Sequence, residues 1–184
     1  MPQFVVLLRG VNVGHGNRVP MAAFRELLSA QGFSEVRTLL NSGNAVVRSA
    51  ARSATTHAKA IGNGLQETLG VGVVVVVKSS SEFLAAIAEN PLAFPESHHS
   101  RFLTAFSQSE AATQGLSALL PMLEPPEQFH IGRHAAYLHC ARGILESKAG
   151  SALLGKLGRE VTTRNWATVL KLKALLGSSL TQPS

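Results

Sequence analysis

Aspartate is missing from this chain of 184 residues: all eleven acidic residues are glutamate. The Ser-His-Asp triad, the aspartic dyad and Asp-based magnesium sites are therefore excluded. Cysteine occurs once, at Cys140, so no internal disulfide can form, which fits a reducing compartment. Aromatics make up 5% of the residues and charged side chains 15%, against 45% hydrophobic. A chain of this length buries about 70% of its unfolded surface and needs neither disulfide nor metal to hold a core. Disordered, collagen-like and disulfide-scaffold classes are excluded by the same composition. Long apolar runs are lacking too. Phe4 to Leu8 is too short for a signal or a span, and Met1-Pro2-Gln3 carries no basic region. The expectation is a cytoplasmic protein with no membrane partner.

Charge is unevenly placed. Residues 1–132 hold nine Lys/Arg and nine Glu, whereas 133–184 hold eight Lys/Arg against Glu146 and Glu160, so the net +6 belongs to the C-terminal stretch. That asymmetry points to an anionic partner, a nucleotide or nucleic acid, with a basic surface that binds nothing charged as the alternative.

Phe4 to Arg9 reads as a strand with apolar residues on both parities, hence with both faces covered. A Gly-rich loop, Gly10 to Val19, leads into a helix whose apolar face is Met21, Phe24, Leu27 and Leu28 and which stops at Gly32. Val36 to Leu40 and Ala45 to Arg48 flank the turn Asn41-Ser42-Gly43-Asn44, a hairpin composition. Ala58, Ile61, Leu65 and Leu69 keep helical spacing, and Val73 to Val77 is a β-branched strand. Residues 1–78 thus spell βαββαβ, the ferredoxin-like order. A connecting helix and loop occupy 79–100.

From 101 to 184 the pattern restarts. A strand at Arg101 to Ser107, a helix at Ser109 to Leu120, a hairpin of Glu127 to Ile131 with His134 to Cys140, and helices at Ser147 to Leu157 and Arg164 to Leu176 give βαββαα. The fold class expected is α+β, with duplicated ferredoxin-like halves and antiparallel sheets. In a βαββαβ unit the exit of the first strand and the turn after the second share one edge, so loop 10–19 and turn 41–44 should be neighbours. In the second half the same reasoning puts Gly132-Arg133 near Val161 to Trp166.

Loop 10–19 runs from strand into helix, a context in which backbone N–H groups and a helix N-terminus can cradle an anion. It matches no known phosphate-loop string, and a connection whose glycines relieve strain is the competing reading. Arg9, Asn12 and Arg18 add donors, and Asn41 and Asn44 come from the neighbouring turn. Thr162-Thr163-Arg164-Asn165-Trp166 reads as the start of the last helix, capped by a threonine, with Arg164, Thr168 and Lys171 on one polar face. Lys148 opens the preceding helix, where a cation is disfavoured unless it meets a ligand. The histidines show no metal-ligand spacing: in a two-residue hairpin Ile131 opposes His134, which sends His130 to the other face. No metal and no cofactor is expected.

Three strings then stand together: Leu7-Leu8-Arg9-Gly10-Val11-Asn12-Val13-Gly14, Asn41-Ser42-Gly43-Asn44-Ala45-Val46-Val47, and Thr162-Thr163-Arg164-Asn165-Trp166-Ala167-Thr168-Val169. In combination and order they resemble the bacterial domain-of-unknown-function family 1697. The resemblance implies an α+β fold of two related halves and a cytoplasmic bacterial protein, and supplies no activity, substrate or cofactor. Ala167 stands where Asn is expected. The recurrent strings fall on Arg9, Asn12, Asn41, Asn44, Arg164 and Asn165. The leading expectation is binding of a phosphate-bearing ligand by Arg9, Asn12, Arg18, Asn41, Asn44, Lys148, Arg164 and Asn165. The rivals are a small-molecule enzyme using His15 or a glutamate such as Glu146, and an assembly module without a small ligand.

Overall fold

Eight strands and six α-helices form among residues 1–178, which the structure, a computed structural model, describes. They divide into two units, one of Met1–Ser81 with the stretch from Lys171 onward, the other of Glu82–Leu170.

The first unit is built on β1 (Gln3–Leu8), α1 (Met21–Ala30), β2 (Ser34–Leu39), β3 (Asn44–Arg48), α2 (Ala54–Leu69) and β4 (Val75–Ser79). Its antiparallel sheet runs β2-β3-β1-β4, with Val5 paired to Val46 and to Lys78. Phe4, Val6 and Leu8 pack with Ala45, Val47 and Val77 against Phe24 and Leu28 of α1 and Ile61 and Leu65 of α2. Val5 and Leu7, of the opposite parity, are equally buried, so β1 is covered on both faces as its unbroken apolar run predicts. Gly32 and Phe33 close α1 through Phe33 N–H to the Leu28 carbonyl at 3.2 Å. Arg37 of β2 donates to the Ser178 carbonyl at 2.9 Å, tying the end of the described chain to this sheet.

The second unit contains most of α3 (Ser80–Glu89), then β5 (Phe102–Ser107), α4 (Glu110–Gln114), β6 (Gln128–Ile131), β7 (Ala136–His139), α5 (Lys148–Leu154), β8 (Val161–Asn165) and the start of α6 (Trp166–Gly177). Its antiparallel sheet runs β6-β7-β5-β8. Leu103, Ala105, Ala136 and Leu138 face a core completed by Leu116, Leu119, Ala149 and Leu153. Phe102, Thr104, Phe106, Tyr137 and His139, on the other parity, are also buried.

Several expectations are corrected here. Residues 161–165 are a strand, so the order is βαββαβ followed by a helix, not βαββαα. The β-branched run Val161-Thr162-Thr163 extends along β5, with Val161 opposite Ser107 and Asn165 opposite Leu103. The start of β8 therefore lies at the Gly132-Arg133 end of the sheet, and Arg164 and Asn165 lie toward the other end. Neither threonine caps α6; the Asn165 Oδ1 accepts from Thr168 N–H at 2.9 Å. The predicted helix 109–120 is a short α4 continued by a 3₁₀ helix, Gly115–Met122, because Gly115 and Pro121 interrupt α-helical bonding. The helix predicted to reach Leu157 ends at Leu154, and a 3₁₀ turn, Lys156–Gly158, follows Gly155. The second hairpin pairs Ile131 with Ala136, not His134. Its loop is four residues long because a carboxylate from another element holds the amides of residues 133–135.

Candidate functional site

Loop Gly10–Val19 leaves β1 where Leu8 N–H donates to the Gly43 carbonyl at 2.9 Å, which sets the loop beside turn 41–44 as the strand order requires. Asn12 then closes the loop's base. Its backbone is left-handed, with φ 56°, a conformation asparagine tolerates better than most residues. Its Nδ2 donates to the Val19 carbonyl at 2.8 Å and to the Asn41 carbonyl at 2.7 Å. Its Oδ1 accepts from Val19 N–H at 2.9 Å, and its own N–H reaches the Asn17 carbonyl at 3.0 Å. One amide thus imitates a strand partner for Val19 and pins the loop to the turn.

Beyond this clamp the segment Val13 to Arg18 stands in solvent, with Val13 68% exposed. Arg18 Nη2 donates to the Gly14 carbonyl at 2.7 Å, folding the guanidinium back over the tip. Arg9 is half-buried at the loop's start. Asn44 is fully buried, and its Nδ2 donates to the Leu39 carbonyl at 3.0 Å and to Ser42 Oγ at 2.9 Å. Asn12, Asn41 and Asn44 therefore form a frame, and Arg9 and Arg18 bring the charge. Pro20 precedes α1 and no side chain caps that helix. Its first-turn N–H groups point toward the loop's end.

The other three sequence-derived residues belong to the second unit. Lys148 is exposed and paired with Glu124 at 3.0 Å, and the lysine holds that carboxyl below the usual carboxylate range. Arg164 is buried, donating to Thr162 Oγ1 at 2.7 Å and to the Thr163 carbonyl at 2.8 Å. Desolvation lowers its guanidinium to about 10, so it stays charged at neutral pH. Asn165 caps α6. Lys148 opens α5, which packs on the Leu103 face of the sheet, whereas Arg164 pairs with Thr104 on the opposite face. The two cations do not converge.

Sequence reading missed a cluster of rings on that second face. His139 stacks on Phe94 with ring centroids 3.6 Å apart, and its Nε2 lies 3.1 Å from His98 Nδ1, the two imidazoles being nearly parallel. Phe102, the strand partner of His139, sits edge-on to Phe94 and next to Trp166. Only the adjacency of His139, the last residue of β7, and Cys140 just beyond it hints at it in the sequence. Cys140 packs in the Leu103 core, and burial pushes its thiol up to about 11. Among the described residues no three His, Cys or Glu side chains gather as a metal site, and no helix is long and apolar enough to cross a membrane.

Burial, then the charges of His98 and Arg101, hold the His139 imidazole below its ordinary value of 6.5, against a smaller opposing effect of Glu127. The unfolded chain therefore binds a proton that the folded chain refuses. Stability is complete above 6.5 and falls as pH drops through that value, by up to about 1.4 kcal/mol per pH unit for one proton. Urea midpoints measured from about pH 7.5 to about pH 5 should show this decline, and His139→Phe, which keeps a ring on Phe94, should flatten it. An equal slope in both proteins would refute the assignment.

The fold and the clamped loop define a class: a two-unit α+β protein presenting a pinned, basic loop at one sheet edge. Residues 1–137 match the model of the family described as "Protein of unknown function (DUF1697)", and the chain belongs to that family. The third string, 162–169, lies beyond the matched stretch. No curated protein matches the chain. Among solved structures it is similar to the conserved bacterial protein SP0830 from Streptococcus pneumoniae, with a TM-score of 0.74 and 23% identity over 95% of this chain and 98% of that one. That likeness concerns the fold.

Proposed function

We propose that this protein binds a phosphate-bearing ligand, a nucleotide or nucleic acid, at the loop between β1 and α1. What carries the reading is the Asn12 clamp. It fixes the loop's base through side-chain bonds to Val19 and Asn41 and leaves the tip, with Arg18, in solvent ahead of a helix without a side-chain cap. A rigid base lowers the ordering cost of binding, and oriented N–H groups beside guanidinium groups suit a phosphate. In this reading Arg9 and Arg18 contact the ligand, while Asn12, Asn41 and Asn44 hold the frame. Lys148, Arg164 and Asn165 belong to the second unit. The shared strand order of the two sheets supports a duplicated ferredoxin-like origin, with the second copy's loop shortened to Gln108-Ser109. The single buried cysteine supports placing the protein in the cytoplasm.

The test is titration with a fluorescent oligonucleotide and, separately, with ATP, each at low and near-physiological salt. Binding of the preferred ligand should weaken with salt, and Arg9→Gln with Arg18→Gln should reduce it by about tenfold or more while folding is retained. For a nucleic acid the double change should also lower the salt slope. No binding of either ligand at low salt would overturn the proposal.

A further inference from the structure

Residues 91–101 carry the chain from α3 to β5, and none of them is buried, the 3₁₀ helix Glu96–Arg101 included. Two side chains fasten this segment to the second sheet: Phe94, stacked on His139 and edge-on to Phe102, and His98, bonded to His139. The other side-chain bonds of the segment stay within it. His99 Nε2 lies 3.2 Å from the Phe94 carbonyl oxygen, and Arg101 Nη1 donates to the Ser97 carbonyl at 3.3 Å. Both fastenings therefore end on one ring, that of His139, which is 4% exposed.

His98 Nδ1 and His139 Nε2 are 3.1 Å apart while the ring centroids are 5.2 Å apart, so the two nitrogens face each other. A bond between them needs one proton: one imidazole donates and the other accepts. When both rings are charged, N–H faces N–H and the bond is lost. The second nitrogen of His139 gives no relief, because Nδ1 is buried with no hydrogen-bond partner among the described residues. Charged groups act on His139 from two places, His98 and Arg101 of the 3₁₀ helix and Glu127 ahead of β6. β5 presents Phe102, with Trp166 of α6 behind it, and neither titrates. Burial, and then His98 and Arg101, disfavour charge on His139, against the smaller effect of Glu127.

We propose that the His98–His139 pair is an acid-released latch: when both imidazoles carry a proton, residues 91–100 lift from the sheet and uncover Phe102 and His139 while β5 and β7 stay paired. Local opening precedes global unfolding here because the segment buries no residue of its own, whereas β5 and β7 are held by a ladder and a core.

The test is amide hydrogen exchange on the full chain at about pH 7.5 and about pH 5, read as protection factors so that the intrinsic pH dependence of exchange drops out. Protection of residues 92–100 should fall by about tenfold or more on acidification, with that of β5 and β7 retained. The fluorescence of Trp166, the chain's one tryptophan, which lies against Phe102, should follow the same transition. His139→Phe keeps a ring on Phe94 and cannot charge, so its segment should be less protected at neutral pH and indifferent to acid. His98→Asn keeps a group that can donate to His139 or, turned over, accept from it, so its segment should stay protected at about pH 5. Equal protection of the segment at both pH values overturns the proposal, as does loss of β5 and β7 protection together with it. Those two outcomes are read on the unaltered chain and stand whether or not the variants fold. An acid response that persists undiminished in both variants overturns it as well.

Discussion

Gly43→Ala is expected to destabilise the first unit by about 2–4 kcal/mol, the sum of a strained backbone and an overpacked contact. Gly43 has φ 83°, where an L side chain is disfavoured. An added Cβ would stand 2.6 Å from Leu8 Cβ and 2.9 Å from Val11 Cγ2. Leu8 and Val11 are both buried, so neither can swing aside. Nor can the turn retreat without losing the bond from Leu8 N–H to the Gly43 carbonyl. Gly70→Ala isolates the first contribution, because Gly70 has φ 65° with nothing within 4 Å of an added Cβ, and it should cost about 1 kcal/mol. Urea unfolding of the two variants measures the difference; equal losses would show that the turn relaxes. The change also bears on function. The same contact holds the turn against the loop base, so under the proposed function Gly43→Ala should weaken phosphate-ligand binding even where the protein remains folded.

Glu89→Ala should cost about 2–4 kcal/mol in the second unit by stripping several donors of one acceptor. Glu89 is the last residue of α3, where the helix dipole disfavours a carboxylate. It is held there by the β6–β7 loop. One carboxylate accepts from the backbone N–H groups of Arg133, His134 and Ala135 at 3.2, 2.8 and 3.2 Å and from the Tyr137 hydroxyl at 2.9 Å. The single proton of that hydroxyl is shared with the Ala86 carbonyl. Burial, and then Glu89 itself, raise the Tyr137 hydroxyl far above its ordinary value, so it acts only as a neutral donor. Glu89→Gln retains one carbonyl oxygen and should lose about half as much as the alanine variant. Amide hydrogen exchange at residues 133–135 should accelerate in both, more in alanine. Unchanged exchange would mean that the loop holds its shape without the carboxylate. Gly132→Ala is expected to act in the same direction, because an added Cβ would run into the Glu89 carboxylate.

Much of the first unit was legible because its signals are local. Phe4 to Leu8 announces a doubly covered strand, the Met21 to Leu28 face a helix, and Asn41 to Asn44 a turn, each from a few adjacent residues. The closeness of loop 10–19 to that turn also followed, since strand order and chain direction leave one arrangement for a βαββαβ unit. The role of Asn12 did not follow. Whether an asparagine on a loop offers its amide to a ligand or spends it on Val19 and Asn41 depends on atoms nearly thirty residues away.

The second unit was read less well, for an identifiable reason. Thr162 to Trp166 carries both β-branched residues and helix-start polar residues, and only pairing with β5 decides between them. The hairpin length likewise depends on Glu89, more than forty residues from the amides it binds.

By itself, the amino-acid order determined the mixed α+β class, the exclusion of aspartate chemistry and the concentration of positive charge after residue 132. Composition and local spacing suffice for these, because propensity and hydrophobic period act over a few residues. Tertiary structure alone decided that Asn12 is a clamp, that Arg164 lies inside a sheet face, and that His139 stacks on Phe94. Those outcomes turn on which distant groups meet when apolar faces are buried, and hydrogen bonds form only between groups that packing has already brought together.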